Sequence, residues 1–175
     1  MRIFSDAFSF HNGKPDQISG YVTLAVNDNN EIVNQIVKGF DGTTNNFGEL
    51  MGILEGLNYI YENYKELPKT SFELISDSEY AIKGASERIY KWAKNSWKGY
   101  DGKTVKNLEI WQKLYEYMTV LTRSRVNFKF KWVKGHNGKS VTLEEDSFTY
   151  FQEMCDTLAV EYKNKILKER NLKGG

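Results

Sequence analysis

Four carboxylates in this 175-residue chain stand where local patterning reserves space for apolar side chains or element ends: Asp6, Glu49, Asp77 and Asp156. Asp6 shares one side of an alternating segment with Phe4, Phe8 and Phe10. Glu49 opens a helical stretch on the face that carries Ile53 and Gly56, and Asp77 follows the apolar run Phe72 to Ser76. Asp156 borders the apolar stripe of the last helix, with Ala159 and Val160 at its three and four spacings. Carboxylates among apolar groups lose hydration, and several together repel, so both effects favour the protonated form. A pair of divalent cations removes that penalty, and oxygen ligands of this kind suit Mg²⁺.

Each position also has a purely local explanation. Asp77 could cap the helix that follows it. Glu49 could be the third-position acid of a capping box opened by Asn46. Asp156 could interact with the N-terminus of its own helix, and Asp6 could face a turn. The order of elements permits the four to meet without requiring it.

That order follows from periodicity. Met1 to Phe10, Tyr21 to Val26 and Glu31 to Val37 read as strands, with the turn Asn27-Asp28-Asn29-Asn30 making a hairpin of the last two. Asn46 to Tyr64 changes to helical spacing and stops before Pro68; Phe72 to Ser76 is a buried strand. A helical stretch after Asp77 is interrupted from Gly99 to Gly102 and resumes from Val105 to Leu121. Asn127 to Val133 alternates as a strand, and a last helix spans about Phe151 to Leu167. The pattern βββ-α-β-αα-β-α describes an α/β layer architecture opened by an antiparallel meander.

Composition narrows the class. Apolar residues make up 40% and aromatics 14%, as in a globular protein, and no apolar run reaches the length of a membrane span. One cysteine and two histidines nearly close the option of a structural zinc site, and the lone cysteine suits a reducing compartment. Net charge is only +1, yet Lys83, Arg88, Lys91, Lys94, Lys98, Lys103 and Lys106 face only Glu87 and Asp101 in that stretch. Basic charge is therefore concentrated locally, as on a nucleic-acid surface.

Five segments, in order, resemble type 1 ribonucleases H. Thr43-Thr44-Asn45-Asn46-Phe47-Gly48-Glu49-Leu50-Met51 is similar to the family's TTNNxxELM segment, and Ser76-Asp77-Ser78-Glu79-Tyr80 to its (T/S)DSxY. Trp97-Lys98, Val105-Lys106-Asn107, Leu108 and Trp111 resemble its basic handle and the helix after it. Trp132-Val133-Lys134-Gly135-His136-Asn137-Gly138 is similar to WVKGHxG, and Cys155-Asp156-Thr157-Leu158-Ala159 to CDxLA. The likeness runs from about Ile3 to Tyr162.

The resemblance implies a ribonuclease H-like fold: a central five-stranded mixed sheet, its first three strands antiparallel, flanked by helices. It implies one catalytic domain over residues 1–168, and 169–175 read as a frayed tail. It also implies an endonuclease that cuts the RNA strand of RNA–DNA hybrids, leaving a 5′-phosphate and a 3′-hydroxyl. The catalytic group would be Asp6, Glu49, Asp77 and Asp156, assisted by His136. Two Mg²⁺ ions roughly 4 Å apart would be held by the four carboxylates, with Mn²⁺ as a substitute. Asp6 would be shared, Asp156 on the side of the attacking water, and Glu49 and Asp77 on that of the leaving oxygen.

Substrate contacts follow from the same likeness. Asn12, Asn45 and Glu79 would line the minor groove where the 2′-hydroxyl marks RNA. Thr44 and Asn107 would belong to a pocket for a DNA-strand phosphate. Lys91, Lys94 and Lys98, with Trp92, would hold the backbone without reading bases; the alternative is a solvated lysine face over tryptophans packed in the core. The expected protein is a cytoplasmic monomer with no membrane association and no obligate protein partner. Two other readings share the fold: a catalytically weak hybrid-binding module, and a DNA-strand transferase or junction nuclease. The chain departs from the family at Ala7, at the turn His11-Asn12-Gly13-Lys14, and at Gly42, Glu79 and Arg88. It also carries an acidic loop, Gly138 to Tyr150, about ten residues longer than is usual in such proteins.

Overall fold

The computed structural model describes residues 1–11, 14, 17–135 and 141–173, the last three by backbone alone. Strands β1 (Arg2–Phe10), β2 (Ile18–Val26) and β3 (Ile32–Asp41) form the antiparallel meander. β4 (Ser71–Ser76) and β5 (Asn127–Trp132) add to it in parallel, giving the order β3-β2-β1-β4-β5. A parallel neighbour needs a crossover, and α1 (Asn45–Asn63) supplies the one between the meander and β4. Between β4 and β5 lie α2 (Glu79–Lys83), a π-helical turn (Gly84–Arg88), α3 (Ile89–Lys94) and α4 (Leu108–Arg123); α5 (Ser147–Lys173) closes the chain. The mixed sheet expected from the resemblance is present.

Two-residue alternation splits the core between the faces of the sheet. Ile3 and Leu74 pack with Leu50, Ile53 and Leu57 of α1 and with Trp111 and Leu114 of α4. Phe4, Val22, Leu24 and Ile75 pack on the other side with Phe151, Cys155 and Ala159 of α5. Asp6, in phase with Phe4, therefore faces α5. On the first face, α1 sits close to the sheet because Gly48, Gly52 and Gly56 line up at four-residue spacing. A Cβ at Gly48 would come within 2.6 Å of the Gly20 carbonyl oxygen.

Local chemistry explains the boundaries. In the β2–β3 turn the Asn27 side-chain oxygen accepts from the N–H groups of Asn29 and Glu31 at 2.9 and 3.0 Å. The cap of α1 is Thr44, whose Oγ1 accepts from the Phe47 N–H, so the capping box from Asn46 is not formed. α5 begins at Ser147 because Asp146 in the long loop accepts from the N–H groups of Phe148 and Thr149. It continues to Lys173, through the stretch read as a frayed tail, and Arg170 pairs with Asp41 at 3.1 Å. Among the described residues, no helix is long and apolar enough to cross a membrane.

Candidate active site

Asp6 lies in the middle of β1, opposite Val22, and its Oδ1 accepts from the Ala7 N–H at 2.8 Å. Asp77 follows the last residue of β4, and Asp156 sits ten residues into α5. The sheet order makes β1 and β4 neighbours, and α5 crosses the face toward which Asp6 points. All three carboxylates consequently line one cavity of about 30 Å³, together with Gln152 and Cys155. Glu49 approaches from α1, outside that lining but near enough to feel the charge of Asp77. Its Oε2 accepts from Ser78 Oγ at 2.5 Å and its Oε1 from Asn45 Nδ2 at 2.9 Å.

These positions remove the local explanations one by one. The cap of α2 is Ser78, which leaves Asp77 outside the helix. Glu49 bonds Ser78 and Asn45 instead of reaching back to a helix cap. Asp156 is too far into α5 for the field of its N-terminus, which fades after the first turn. Asp6 is in strand, away from any turn.

Electrostatics record the crowding. Burial, a hydrogen bond with Asp156 and the charges of Asp77 and Asp156 push the Asp6 carboxyl up to about 8, against a lowering by the Ala7 N–H. Asp77 is raised by burial and by the Asp156 charge. Glu49 is raised by burial and by Asp77, while the Ser78 hydroxyl works the other way. Burial also pushes the Cys155 thiol well up, so it stays protonated. Among the described residues, no three Asp, Glu, His or Cys side chains are spaced to grip one ion as they stand. An oxygen-only, mutually repelling donor set of this kind fits a hard divalent cation.

A second feature lies beyond the N-terminus of α1. Thr44, Tyr80, Trp92, Lys106 and Asn107 line an open groove of about 700 Å³. Thr44, Trp92 and Asn107, expected to contact substrate, are thus brought to one place. Trp92 and Trp97 both pack on the core, Trp92 edge-on to Trp111 at 5.0 Å and Trp97 to Tyr115 at 5.8 Å, while Trp92 keeps one side on the groove. Lys91, Lys94 and Lys98 are exposed beside it, outside its lining. Glu79 is exposed and ion-paired with Lys83, and Arg88 further lowers its carboxyl. Asn12 and His136 lie outside the described residues.

Several contacts escape local sequence patterns. Ser78 had a signal, since Ser just before a helix is a favoured cap, but its bond to Glu49 spans 29 positions. The Trp132 indole N–H donates to the Asp77 carbonyl oxygen at 3.0 Å, tying the end of β5 to the backbone that presents Asp77.

A sheet in this order, with acidic residues on β1, after β4 and on α5, defines a ribonuclease H-like fold. The solution structure of the PFV RNase H domain matches 91% of this chain and 92% of that one, with a TM-score of 0.67 at 15% identity. The foamy viral protease-reverse transcriptase solved with an RNA/DNA hybrid matches 91% of this chain but 19% of its own length, with a TM-score of 0.69 at 12% identity. Sequence carries the relation beyond fold. The family model for RNase H matches residues 1–163. Ribonuclease HI of Haemophilus ducreyi is 35% identical over 159 residues, which is 91% of this chain and 87% of that protein. The chain belongs to the RNase H family of ribonucleases.

Proposed function

We propose that this chain hydrolyses the RNA strand of RNA–DNA hybrids, using divalent cations held by Asp6, Glu49, Asp77 and Asp156. The observation that carries the reading is the meeting of Asp6, Asp77 and Asp156 around one small cavity, from three elements far apart in sequence. Two Mg²⁺ ions suit the donor set, with Mn²⁺ as the expected substitute. When bound, they supply the charge that offsets the carboxylates and polarises the scissile phosphodiester.

The chain's own groups do the positioning. The Ala7 N–H fixes one oxygen of Asp6, and the Trp132 indole steadies the backbone at Asp77. Ser78 and Asn45 orient Glu49 from two sides. Asp6, pushed up to about 8, must lose its proton before it can act as an anion, which favours working pH at or above neutrality. Thr44 and Asn107 are assigned to a phosphate of the DNA strand, and Asn12, Asn45 and Glu79 to the minor groove beside the RNA 2′-hydroxyls. Trp92 and the exposed Lys91, Lys94 and Lys98 are assigned to the hybrid backbone. His136 is assigned proton transfer or product release. The products are a 5′-phosphate and a 3′-hydroxyl, and the catalytic domain is residues 1–168 acting as a monomer. The foamy viral neighbour bound to an RNA/DNA hybrid supports the choice of substrate.

The test uses one 5′-labelled RNA strand presented with DNA, with RNA, or alone, beside a labelled all-DNA duplex of the same sequence, each with Mg²⁺ and with EDTA. Cutting confined to the DNA hybrid and to Mg²⁺ is expected. Binding of the hybrid without cutting would favour a binding module instead, and cutting of an all-DNA duplex would point to a different nuclease on the same fold.

A further inference from the structure

The turn after Trp97 presents an aromatic ring that the fold itself does not use. Tyr100 is fully exposed, in contrast to the groove's other rings, Tyr80, Trp92 and Trp111. Those three are committed to one another: Tyr80 packs edge-on to Trp111 at 5.8 Å, and Trp92 to the same ring at 5.0 Å. Tyr100 nonetheless lines the groove, together with Thr44 and Asn107.

The backbone beneath Tyr100 is well tied. The Gly102 N–H donates to the Gly99 carbonyl at 3.1 Å, which places Tyr100 at the first corner of a tight turn. Gly102 takes the left-handed conformation that the turn needs, at φ +72°. The Gly99 N–H donates to the Lys103 carbonyl at 2.8 Å, the Val105 N–H to Trp97 at 3.0 Å, and Lys98 bridges to Thr104. The Asp101 carboxylate accepts from the Lys103 N–H at 3.1 Å. A ring held on a stapled turn loses little backbone freedom when it binds, and that is how an exposed aromatic becomes an effective contact.

We propose that Tyr100 is a substrate-binding residue: its ring closes the outer wall of the groove and stacks on a sugar or base of the uncut DNA strand. This rests on the proposed hybrid substrate. The carboxylates and the groove are joined through two short stretches, one running from Thr44 on the groove to Glu49 in the first turns of α1, the other from Asp77 at the carboxylate cavity to Tyr80 on the groove. A duplex that puts its RNA strand on the carboxylates puts its other strand in the groove. There Lys106 supplies positive charge for the phosphates, and Tyr100 supplies the π-face that every base can meet without sequence preference. Stacking is not ionic, so its contribution does not release counterions.

The experiment measures binding of an RNA–DNA hybrid in EDTA, and its cleavage in Mg²⁺, for wild type, Y100A, Y100F and Y100W. Y100A is expected to weaken binding roughly tenfold and to raise KM alongside, with kcat at saturating hybrid little changed. Y100F and Y100W should stay within about twofold of wild type, and the slope of log Kd against log salt should be the same in all four. Unchanged melting temperatures will show that the turn is intact. If wild type binds the hybrid and Y100A binds it equally well, or if Y100A alters the salt slope, the assignment of Tyr100 is overturned while the hybrid reading stands. Failure of wild type to bind the hybrid would overturn both.

Discussion

Replacing Asp6 by Asn should stabilise the metal-free protein at neutral pH and do much less in acid. Asp6 is held at about 8 in the folded chain against an ordinary 3.8. A group raised on folding keeps its proton in the native state over a range where the unfolded chain has released it. Its contribution is therefore fully present below pH 3.8 and is lost as pH rises toward 8. Across that window the loss is about 1.36 kcal/mol per pH unit. Between pH 5 and pH 7 the wild type should lose on the order of 2 kcal/mol through Asp6 and the carboxylates coupled to it. Asn keeps an oxygen for the Ala7 N–H and has no proton to lose, so the variant should lack that slope. Urea titrations in EDTA at the two pH values would read the effect as a change in ΔΔG, or as a midpoint difference near 1 M for an m-value of about 2 kcal/mol/M. Ionisable groups remote from the site cancel in the double difference, whereas the response of Asp77 and Asp156 to the lost Asp6 charge is part of the effect being read. If the gain from D6N is the same at pH 5 and pH 7, Asp6 titrates normally and the account of mutual repulsion at this site is wrong.

Three further outcomes follow from the same geometry. D77N should cut Mg²⁺-dependent cleavage more than tenfold while hybrid binding in EDTA persists, since a lost ligand set costs several multiples of the 1.36 kcal/mol that equals a factor of ten; a rate above a tenth of wild type would refute its role. Replacing Lys91, Lys94 and Lys98 together with Ala should weaken hybrid binding and flatten its salt dependence by about two to three in slope, and an unchanged slope would show that these exposed lysines are not on the binding surface. S78A removes both the cap of α2 and the donor to Glu49. It should cost about 1 kcal/mol of stability in chemical denaturation and raise the Mg²⁺ concentration needed for half-maximal cleavage, whereas a stability loss with no change in metal requirement would reduce Ser78 to a cap.

Much of the architecture was legible because its signals are local. Two-residue alternation identified Phe4, Asp6 and Phe8 as one face of β1, and three- and four-residue spacing identified the buried side of α1 before Pro68. The Asn-rich turn behaved as its side chains dictate. Local signals misplaced the ends of elements where several polar residues compete. Thr44 and not Asn46 caps α1, and Asp146 starts α5 before the apolar stripe begins. The π-helical turn from Gly84 to Arg88 left no mark in the periodicity, although Gly84 lies flat against the Trp111 ring, where a side chain would not fit.

Residue types and spacing alone determined that four carboxylates occupy positions hard to reconcile with a simple apolar core, and that basic charge gathers between Lys83 and Lys106. Only the tertiary structure decided that Asp6, Asp77 and Asp156 share a cavity, that Glu49 leans on Ser78, and that Tyr100 is left uncovered while Trp92 is packed. The physical reason is range. A strand or helix pattern reports which way a side chain points relative to its neighbours in sequence, within a few residues. Which elements then meet depends on the strand order β3-β2-β1-β4-β5 and on the face each crossover takes, and those are settled by the burial of the whole sheet between its two layers of helices.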